Sequence, residues 1–310
     1  MRWLSETTEL ARVLILKWIG LAPGKFYDWA KRYGLANEHN CAIPRDFWLE
    51  DWEKQAIIAF FDRHPLEGYR RLAFMMLDAN LAAASPATVY RVLKAAGRLD
   101  RVQQGVSKKG KGFVQPLQPH EHWHTDIHYV KVLQTHYFLG TVLDGASRAI
   151  LALCLLAKML EADVELLVQR ARERFPGERP RLISDNGSQY VAEEFANFIR
   201  LVGMTHVRTS PYYPQSNGKQ ERFYRSLEEE ALAGKYPDNP SAALAIVTKY
   251  VDYYNHVRLH SAIGYVTPWD FLQGKAKEIQ ALRDQRLEQA RDRRRLRRQA
   301  QSAGARADAA

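Results

Sequence analysis

The sequence predicts an α/β core with a mixed β-sheet, preceded by helical modules and followed by a charged helix. Three strand-like segments follow one another from Glu121 to Leu156, and helical and strand-like segments then alternate as far as Arg208. Apolar residues recur at helical spacing upstream of this region. The segment from Lys275 to Arg298 is rich in arginine and predicts a solvated helix that could contact DNA. Consecutive strands followed by alternating helices and strands are typical of a mixed sheet with helices packed on it. This order alone is shared by several α/β folds.

Shifts in composition divide the chain into five predicted segments. Its 310 residues suit two or three domains, and 46% of them are hydrophobic, which is enough for a buried core. The segments are an N-terminal helix-turn-helix-like segment, a helical module, a basic linker, a core, and a basic C-terminal helix with a disordered tail. In the same order they cover residues 1–45, 46–98, 99–119, 120–273 and 274–310.

The charge balance favours a polyanionic partner. The chain has 45 Lys and Arg against 35 Asp and Glu, a net charge of +10, which is typical of proteins that bind nucleic acid but also of a basic, solvated surface. Cys41 and Cys154 lie far apart and form no CxxC pair, which argues against a disulfide framework and a thiolate zinc site. No apolar run could span a bilayer and no signal-peptide pattern opens the chain, so a soluble, cytoplasmic protein is predicted.

The first segment predicts a helix, a tight turn and a second helix. Residues 9–19 repeat apolar side chains at helical spacing, and a break at Gly20 precedes a second helix over 25–33. With basic side chains outside, this pair resembles a helix-turn-helix, although many small helical pairs have the same pattern.

The helical module ends in a short basic helix. Ser85 is its predicted N-cap and Gly97 follows its last turn. Its apolar side chains form one stripe, whereas Thr88, Arg91 and Lys94 fall on the other face and suit a recognition helix in a DNA groove. A three-helix bundle with a solvated basic face would give the same pattern.

Three carboxylates carry the chemistry of the core. Asp126 lies inside a strand-like segment, where an acid is disfavoured and costly to bury unpaired. Asp185 follows a short strand and precedes the turn signal Asn-Gly, and Glu221 lies one turn into a helix. Alone, Asp185 is typical of a turn residue and Glu221 of a solvated charge. Together on neighbouring elements, the three acids indicate a site for divalent cations.

Several segments resemble the DDE transposases of bacterial insertion sequences, specifically the orfB-type proteins, and more distantly the core of retroviral integrases. The acids lie in WHTDIHYV, LISDNGSQY and SPYYPQSNGKQERF. The downstream YNHVRLHSAIGYVTPWDFL is similar to the end of the same core, and HPLEGYRRLAFMML to the helical DNA-binding module that precedes it. The resemblance covers roughly residues 50–272.

This resemblance implies a ribonuclease-H-like core, dependence on Mg²⁺ or Mn²⁺ with two ions, and cleavage and strand transfer of DNA. Asp126, Asp185 and Glu221 match the three metal-binding acids of the family. The family approaches DNA ends with the loop before the glutamate helix. The predicted DNA-binding residues of this loop, this helix and the basic linker are Gln215, Asn217, Lys219, Arg222, Arg225, Lys108 and Lys109.

Two positions depart from the family pattern. Glu228 stands seven residues after Glu221, where relatives commonly carry Lys or Arg against the terminal DNA. Arg225, one turn earlier on the same face, is the predicted substitute. His128 occupies a position that usually holds a hydroxyl residue, and the sequence gives no reason for it. The neighbouring histidines alternate along the strand without a nearby cysteine, which argues against zinc.

The predicted function is therefore transposition of a mobile element by a DDE-type transposase, a polynucleotidyl transferase. The predicted partners are the terminal repeats of the element, target DNA, a second copy of the chain to bring two ends together, and an upstream helix-turn-helix protein of the same element. Two alternatives stay open at this point: a catalytically inactive DNA-binding regulator derived from a transposase, and a hydrolytic nuclease of the same fold.

Overall fold

The computed structural model describes residues 10–31, 33, 48–99, 116–208, 218–235 and 237–307. The chain forms two compact units, residues 1–48 and 49–310. Four predicted DNA-binding residues lie outside the described ranges, namely Lys108, Lys109, Gln215 and Asn217. The five predicted segment boundaries stay a prediction.

The first unit contains the predicted pair of short helices. Helix α1 spans Arg12–Trp18 and α2 spans Pro23–Lys31. Gly20 ends the first helix with a φ of 66°, a left-handed conformation that glycine adopts without steric cost. DNA binding by this pair stays a prediction.

The second unit begins with three helices that pack around their own core. They are α3 (Asp51–Arg63), α4 (Tyr69–Asp78) and α5 (Pro86–Ala95). Ile57, Leu72 and Leu93 are fully buried in this cluster. As predicted, Ser85 caps α5, since its hydroxyl accepts a hydrogen bond of 3.3 Å from the backbone N–H of Thr88. The basic side chains of α5, Arg91 and Lys94, are exposed and so lie on the outside of the bundle.

The core contains a five-stranded mixed sheet in the order β3-β2-β1-β4-β5. The strands are β1 (His122–Val132), β2 (Thr135–Asp144), β3 (Ile150–Leu156), β4 (Arg181–Ser184) and β5 (Thr205–Arg208). Strands β1, β2 and β3 pair antiparallel, whereas β4 is parallel to β1 and β5 is parallel to β4. This order and these directions are those of a ribonuclease-H-like sheet, so the predicted fold class is confirmed.

Helices cover both faces of the sheet. They are α6 (Glu161–Arg174), α7 (Ser188–Val191), α8 (Glu193–Leu201), α9 (Gly218–Leu227), α10 (Pro240–His256) and α11 (Pro268–Leu272). A π-helical turn, Glu228–Leu232, continues α9, and a 3₁₀ turn, Ser261–Ile263, follows α10. Trp123 lies in the apolar cluster with α6 and α8, and Leu139 lies in the cluster with α9 and α10. The sheet is thus buried on both sides around the site.

The C-terminal helix differs from the prediction of a solvated segment. Helix α12 spans Ala276–Ala307, yet Arg283 is only 2% exposed and Arg294 only 4% exposed. The Arg294 guanidinium contacts the Glu53 carboxylate at 2.6 Å, and Arg283 contacts Asp78 at 2.6 Å. These arginines and Ala290 lie on one face of α12 that packs on α3 and α4. The prediction of a fully solvated helix is therefore wrong for this face.

In the described part of the chain, none of the helices is sufficiently long and apolar to cross a bilayer.

Candidate active site

The two aspartates lie at the same level of neighbouring strands because β1 and β4 run parallel. The register pairs His124 with Ile183. Asp126 is two residues further along β1, and Asp185 is two residues further along the chain, just after β4 ends at Ser184. Both aspartates are half-buried. A crevice at the carboxyl end of a strand is where α/β sheets commonly bind ligands.

A tight turn orients the Asp185 carboxylate. Its Oδ1 accepts a hydrogen bond of 2.9 Å from the backbone N–H of Gly187, the pattern by which aspartate closes an Asx turn. A Cβ at position 187 would lie 3.1 Å from this oxygen. Glycine therefore lets the backbone approach the carboxylate, which is the physical content of the Asn-Gly signal after Asp185.

The negative charges of both aspartates affect the pKa of the buried Tyr190. The Tyr190 hydroxyl lies 3.2 Å from the Thr125 hydroxyl, under the sheet edge. Burial raises the pKa of Tyr190, and the negative charges of Asp126 and Asp185 raise it further. The two carboxylates are therefore within electrostatic reach of one hydroxyl, as expected for a pair at one site.

Helix α9 is fixed to β1 by two buried polar side chains. Gln220 Nε2 donates a hydrogen bond of 2.8 Å to the carbonyl oxygen of His124, and the Tyr224 hydroxyl donates one of 2.9 Å to that of Asp126. Thr141 on β2 contacts both helix residues, at 3.0 Å and 2.7 Å. Four helical residues and two strand residues each advance about 6 Å. Helix and strand therefore stay in step along the site.

The two departures from the family pattern contact each other at the next step along the helix and strand. His128 Nε2 lies 3.0 Å from Glu228 Oε1. The His128 ring also stacks on the Tyr224 ring, with a centroid distance of 4.5 Å and an interplanar angle of 13°. Glu228 thus faces β1, and the sequence could not indicate this pairing because the contact crosses 100 positions.

Glu221 follows the buried Gln220 on the first turn of α9, and its side chain is exposed. The structure thus brings its helix to the strand that carries Asp126. Among the described residues, however, no group of three His, Cys, Asp or Glu side chains is close enough to hold a metal ion. The two aspartates are brought together, whereas Glu221 does not close a three-residue ligand set with them.

The predicted DNA-binding residues that the structure describes lie on two helices. Arg91 and Lys94 are exposed on α5, and Thr88 beside them is half-buried. Arg222 and Arg225 are exposed on α9. These side chains have the exposure that phosphate contacts require.

Lys219, also a predicted DNA-binding residue, is half-buried at the start of α9. Its Nζ lies 3.5 Å from His124 Nε2. Burial lowers the pKa of Lys219 to about 7, the charge of Arg148 lowers it further, and Asp144 acts in the opposite direction.

Sequence reasoning missed the residues that hold the helix to the strand. Gln220 and Tyr224 are four positions apart, a spacing that puts them on one helix face. The available sequence signal was that both share a helix face with the apolar Phe223 and Leu227.

Replacing Tyr224 with Phe tests this arrangement. Removal of a buried hydroxyl leaves the Asp126 carbonyl without that donor, which costs about 1–3 kcal/mol of unfolding free energy. Because misplacement of a catalytic group by ~1 Å can cost about 10²-fold in rate, we expect DNA strand transfer at least about ten-fold slower. Tyr253→Phe is the matched control, since that hydroxyl binds Glu67 at 2.9 Å. Equal rates for the two variants in a strand-transfer assay would contradict the role of Tyr224.

Comparison with known proteins assigns the core. Residues 116–214 match the family model "Integrase core domain", and residues 202–268 match a second model of the same description. The chain is 28% identical to the transposase for insertion sequence element IS904 of Lactococcus lactis over 157 residues, which cover 49% of this chain and 61% of that protein, less than two thirds of its length. It is 26% identical to the transposase InsD for insertion element IS2-9 of Escherichia coli over 298 residues, covering 88% of this chain and 96% of that protein.

Among solved structures, the catalytic core domain of HTLV-2 integrase in complex with magnesium aligns with a TM-score of 0.40 and 21% identity, over 50% of this chain and 97% of that one.

Proposed function

We propose that this chain is an insertion-sequence transposase with an integrase core domain, and that it cleaves DNA at the ends of a mobile element and joins those ends to target DNA. One observation supports this most directly. Asp126 and Asp185 lie at the same level of the parallel strands β1 and β4, and the helix of Glu221 is hydrogen-bonded to β1 at Asp126. Carboxylates on such neighbouring elements can hold the metal ions that promote reaction at a phosphodiester.

The proposed ligands suit a hard divalent cation. Carboxylate oxygens are preferred by Mg²⁺, which keeps water and phosphate as its other ligands. Asp126 and Asp185 would hold the ions, two of Mg²⁺ or Mn²⁺, and Glu221 would complete the set once its exposed side chain turns toward them. Two such ions, when bound, stabilise the attacking and leaving oxygens of an in-line displacement.

The protein's own residues then have three proposed roles. The Gly187 backbone N–H holds one oxygen of Asp185, so that the other can face the ion. Gln220 and Tyr224 keep the glutamate helix aligned with Asp126. In cleavage, water loses a proton to solvent as it attacks the scissile phosphorus, the bond to the 3′-oxygen breaks, and that oxygen takes up a proton to give a 3′-hydroxyl. In joining, this 3′-hydroxyl loses its proton as it attacks a target phosphorus, and the target 3′-oxygen leaves.

The proposed partners follow from this reaction. Two ends must meet for joining, so at least two copies of the chain are expected on the DNA. Helix α5 is proposed to contact the terminal repeat through Thr88, Arg91 and Lys94, and α9 to contact the strand end through Arg222 and Arg225. An upstream helix-turn-helix protein of the same element is a further proposed partner.

The test uses the purified chain and duplexes that carry the terminal repeats of its own element. With Mg²⁺ or Mn²⁺ we expect nicked ends and products joined to a target duplex, and neither product in EDTA. Gel separation of labelled strands distinguishes the outcomes. Cut ends without joined product would indicate a nuclease, and binding without either product would indicate a DNA-binding regulator; both results would overturn the proposal.

A further inference from the structure

The turn between β2 and β3 presents one arginine from an otherwise buried segment. Of residues 141–150, Arg148 alone is not buried. Its φ is 70°, a left-handed conformation that costs about 1–2 kcal/mol for a residue other than glycine. The Asp144 carboxylate fixes this turn, accepting hydrogen bonds of 2.7 Å from both the backbone N–H and the hydroxyl of Ser147. The turn therefore holds Arg148 in a defined, costly position.

The Arg148 guanidinium forms no ion pair within the described part of the chain. Its Nε is buried and has no hydrogen-bond partner. Asp144 is the nearby acid, yet its second oxygen accepts a hydrogen bond of 2.8 Å from the backbone N–H of His120. A buried donor without an acceptor costs about 1–3 kcal/mol. The residue as a whole is half-buried, so other atoms of its side chain reach the surface.

Both the turn between β2 and β3 and the first residues of α9 lie close to His124. A Cβ at Gly145 would lie 3.0 Å from His124 Nε2, and Lys219 Nζ lies 3.5 Å from the same nitrogen. Positive charges from this region also act on a second histidine, His260. The pKa of His260 falls to about 3, mainly through burial and also through the positive charges of nearby arginines, Arg258, Arg148, Arg71 and Arg222. Arg148 of the turn and Arg222 of α9 thus lie within electrostatic range of the same side chain, in agreement with the approach of turn and helix to His124.

Only part of this basic group is compensated. Arg258 forms an ion pair of 2.6 Å with Glu230, and Arg71 pairs with Glu67. No ion pair is formed by Arg148 or Arg222 with any described residue. Arg222, which follows Glu221 in the chain, therefore has no ion-pair partner among the described residues, and neither has Arg148 in the turn.

We propose that Arg148, together with Lys219 and Arg222, binds a backbone phosphate of the DNA strand that is cut at Asp126 and Asp185. The site rests on the proposed function, because it takes the same strand. A guanidinium fork suits two phosphate oxygens, and a phosphate contact fixes the position of the strand without reading its sequence. The contact would hold the strand within one helical turn of Glu221.

The experiment measures binding of terminal-repeat duplex in Mg²⁺ over a range of salt, with every protein carrying Asp126→Asn so that no reaction consumes the DNA. For Arg148→Gln we expect about ten-fold weaker binding and a slope of log affinity against log salt reduced by about 0.9, the loss of one phosphate contact. Arg148→Lys keeps the charge and should retain most of the slope. The matched control is Arg200→Gln, an exposed arginine at the end of α8, which should leave affinity and slope unchanged.

Arg222→Gln alters an exposed side chain and serves as the second test should Arg148→Gln not fold, as judged by its thermal melt. It should also lower the slope by about 0.9. Parental affinity and slope in a folded Arg148→Gln protein would overturn the proposal, as would an unchanged slope in Arg222→Gln when Arg148→Gln does not fold. Failure of the proposed function is a separate result, because the wild-type chain would then not cut and join terminal DNA at all.

Discussion

Asp126→Asn is expected to lower the rates of DNA cleavage and joining by at least about 10³-fold while the protein still binds terminal DNA. The amide has the shape of the carboxylate but not its charge, and a metal ion at such a site contributes several kcal/mol to the reaction. About 4 kcal/mol corresponds to 10³-fold at 1.36 kcal/mol per tenfold. Asp185→Asn and Glu221→Gln should behave in the same way. Single-turnover assays on labelled end duplexes measure these rates, and gel shifts measure binding.

Asp284→Asn is the matched control for this series, because Asp284 is exposed on α12 in the described structure. Its rate should equal that of the wild type. A rate for Asp126→Asn within ten-fold of the control would exclude the aspartate from the reaction. Loss of DNA binding together with rate would instead indicate that the substitution disturbs β1.

Arg294→Ala should lower the free energy of unfolding by about 3–5 kcal/mol, because it leaves a buried carboxylate without its partner. Both side chains of the Arg294–Glu53 pair are 5% exposed. Arg294 also donates a hydrogen bond of 2.7 Å to the carbonyl oxygen of Ala83. Urea denaturation followed by circular dichroism measures the change.

The control for this second prediction is the neighbouring Arg293→Ala, an exposed position where the expected change stays within about 0.5 kcal/mol. Replacing both partners, with Glu53→Gln and Arg294→Met, should destabilise the protein less than Arg294→Ala alone, since no unpaired charge is left. Equal stabilities for Arg294→Ala and Arg293→Ala would show that the pair contributes nothing.

The sequence was sufficient for the elements that depend on local patterns. The strand-like segments from Glu121 to Leu156 correspond to strands β1, β2 and β3, and the short strand predicted before Asp185 is β4. Asp126 stood out because an acid inside a strand needs a reason, and Asp185 because an Asn-Gly turn follows it. The parallel pairing of their strands then brings the two together.

Contacts between distant segments could not be predicted in this way. The partner of Arg294 is 241 positions away, and an arginine-rich helix has the same composition whether its charges meet water or carboxylates. From the sequence, Glu228 was interpreted only as the loss of a basic residue that contacts DNA. In the structure it lies 3.0 Å from His128, so two unusual residues form a single contact between β1 and the π-helical turn that continues α9.

The packing of helix α12 fixes the distance between two proposed DNA-binding surfaces. Arg283 donates hydrogen bonds to Asp78 of the helical module at 2.6 Å and, at 2.7 Å, to the carbonyl oxygen of Tyr265 in the core. One buried side chain therefore joins the helix bundle that carries α5 to the domain that carries the acids. If both surfaces contact the same duplex, the protein acts as a ruler. The number of base pairs between the recognised sequence and the cut is then a dimension of the folded chain, set by its own ion pairs before any DNA is bound.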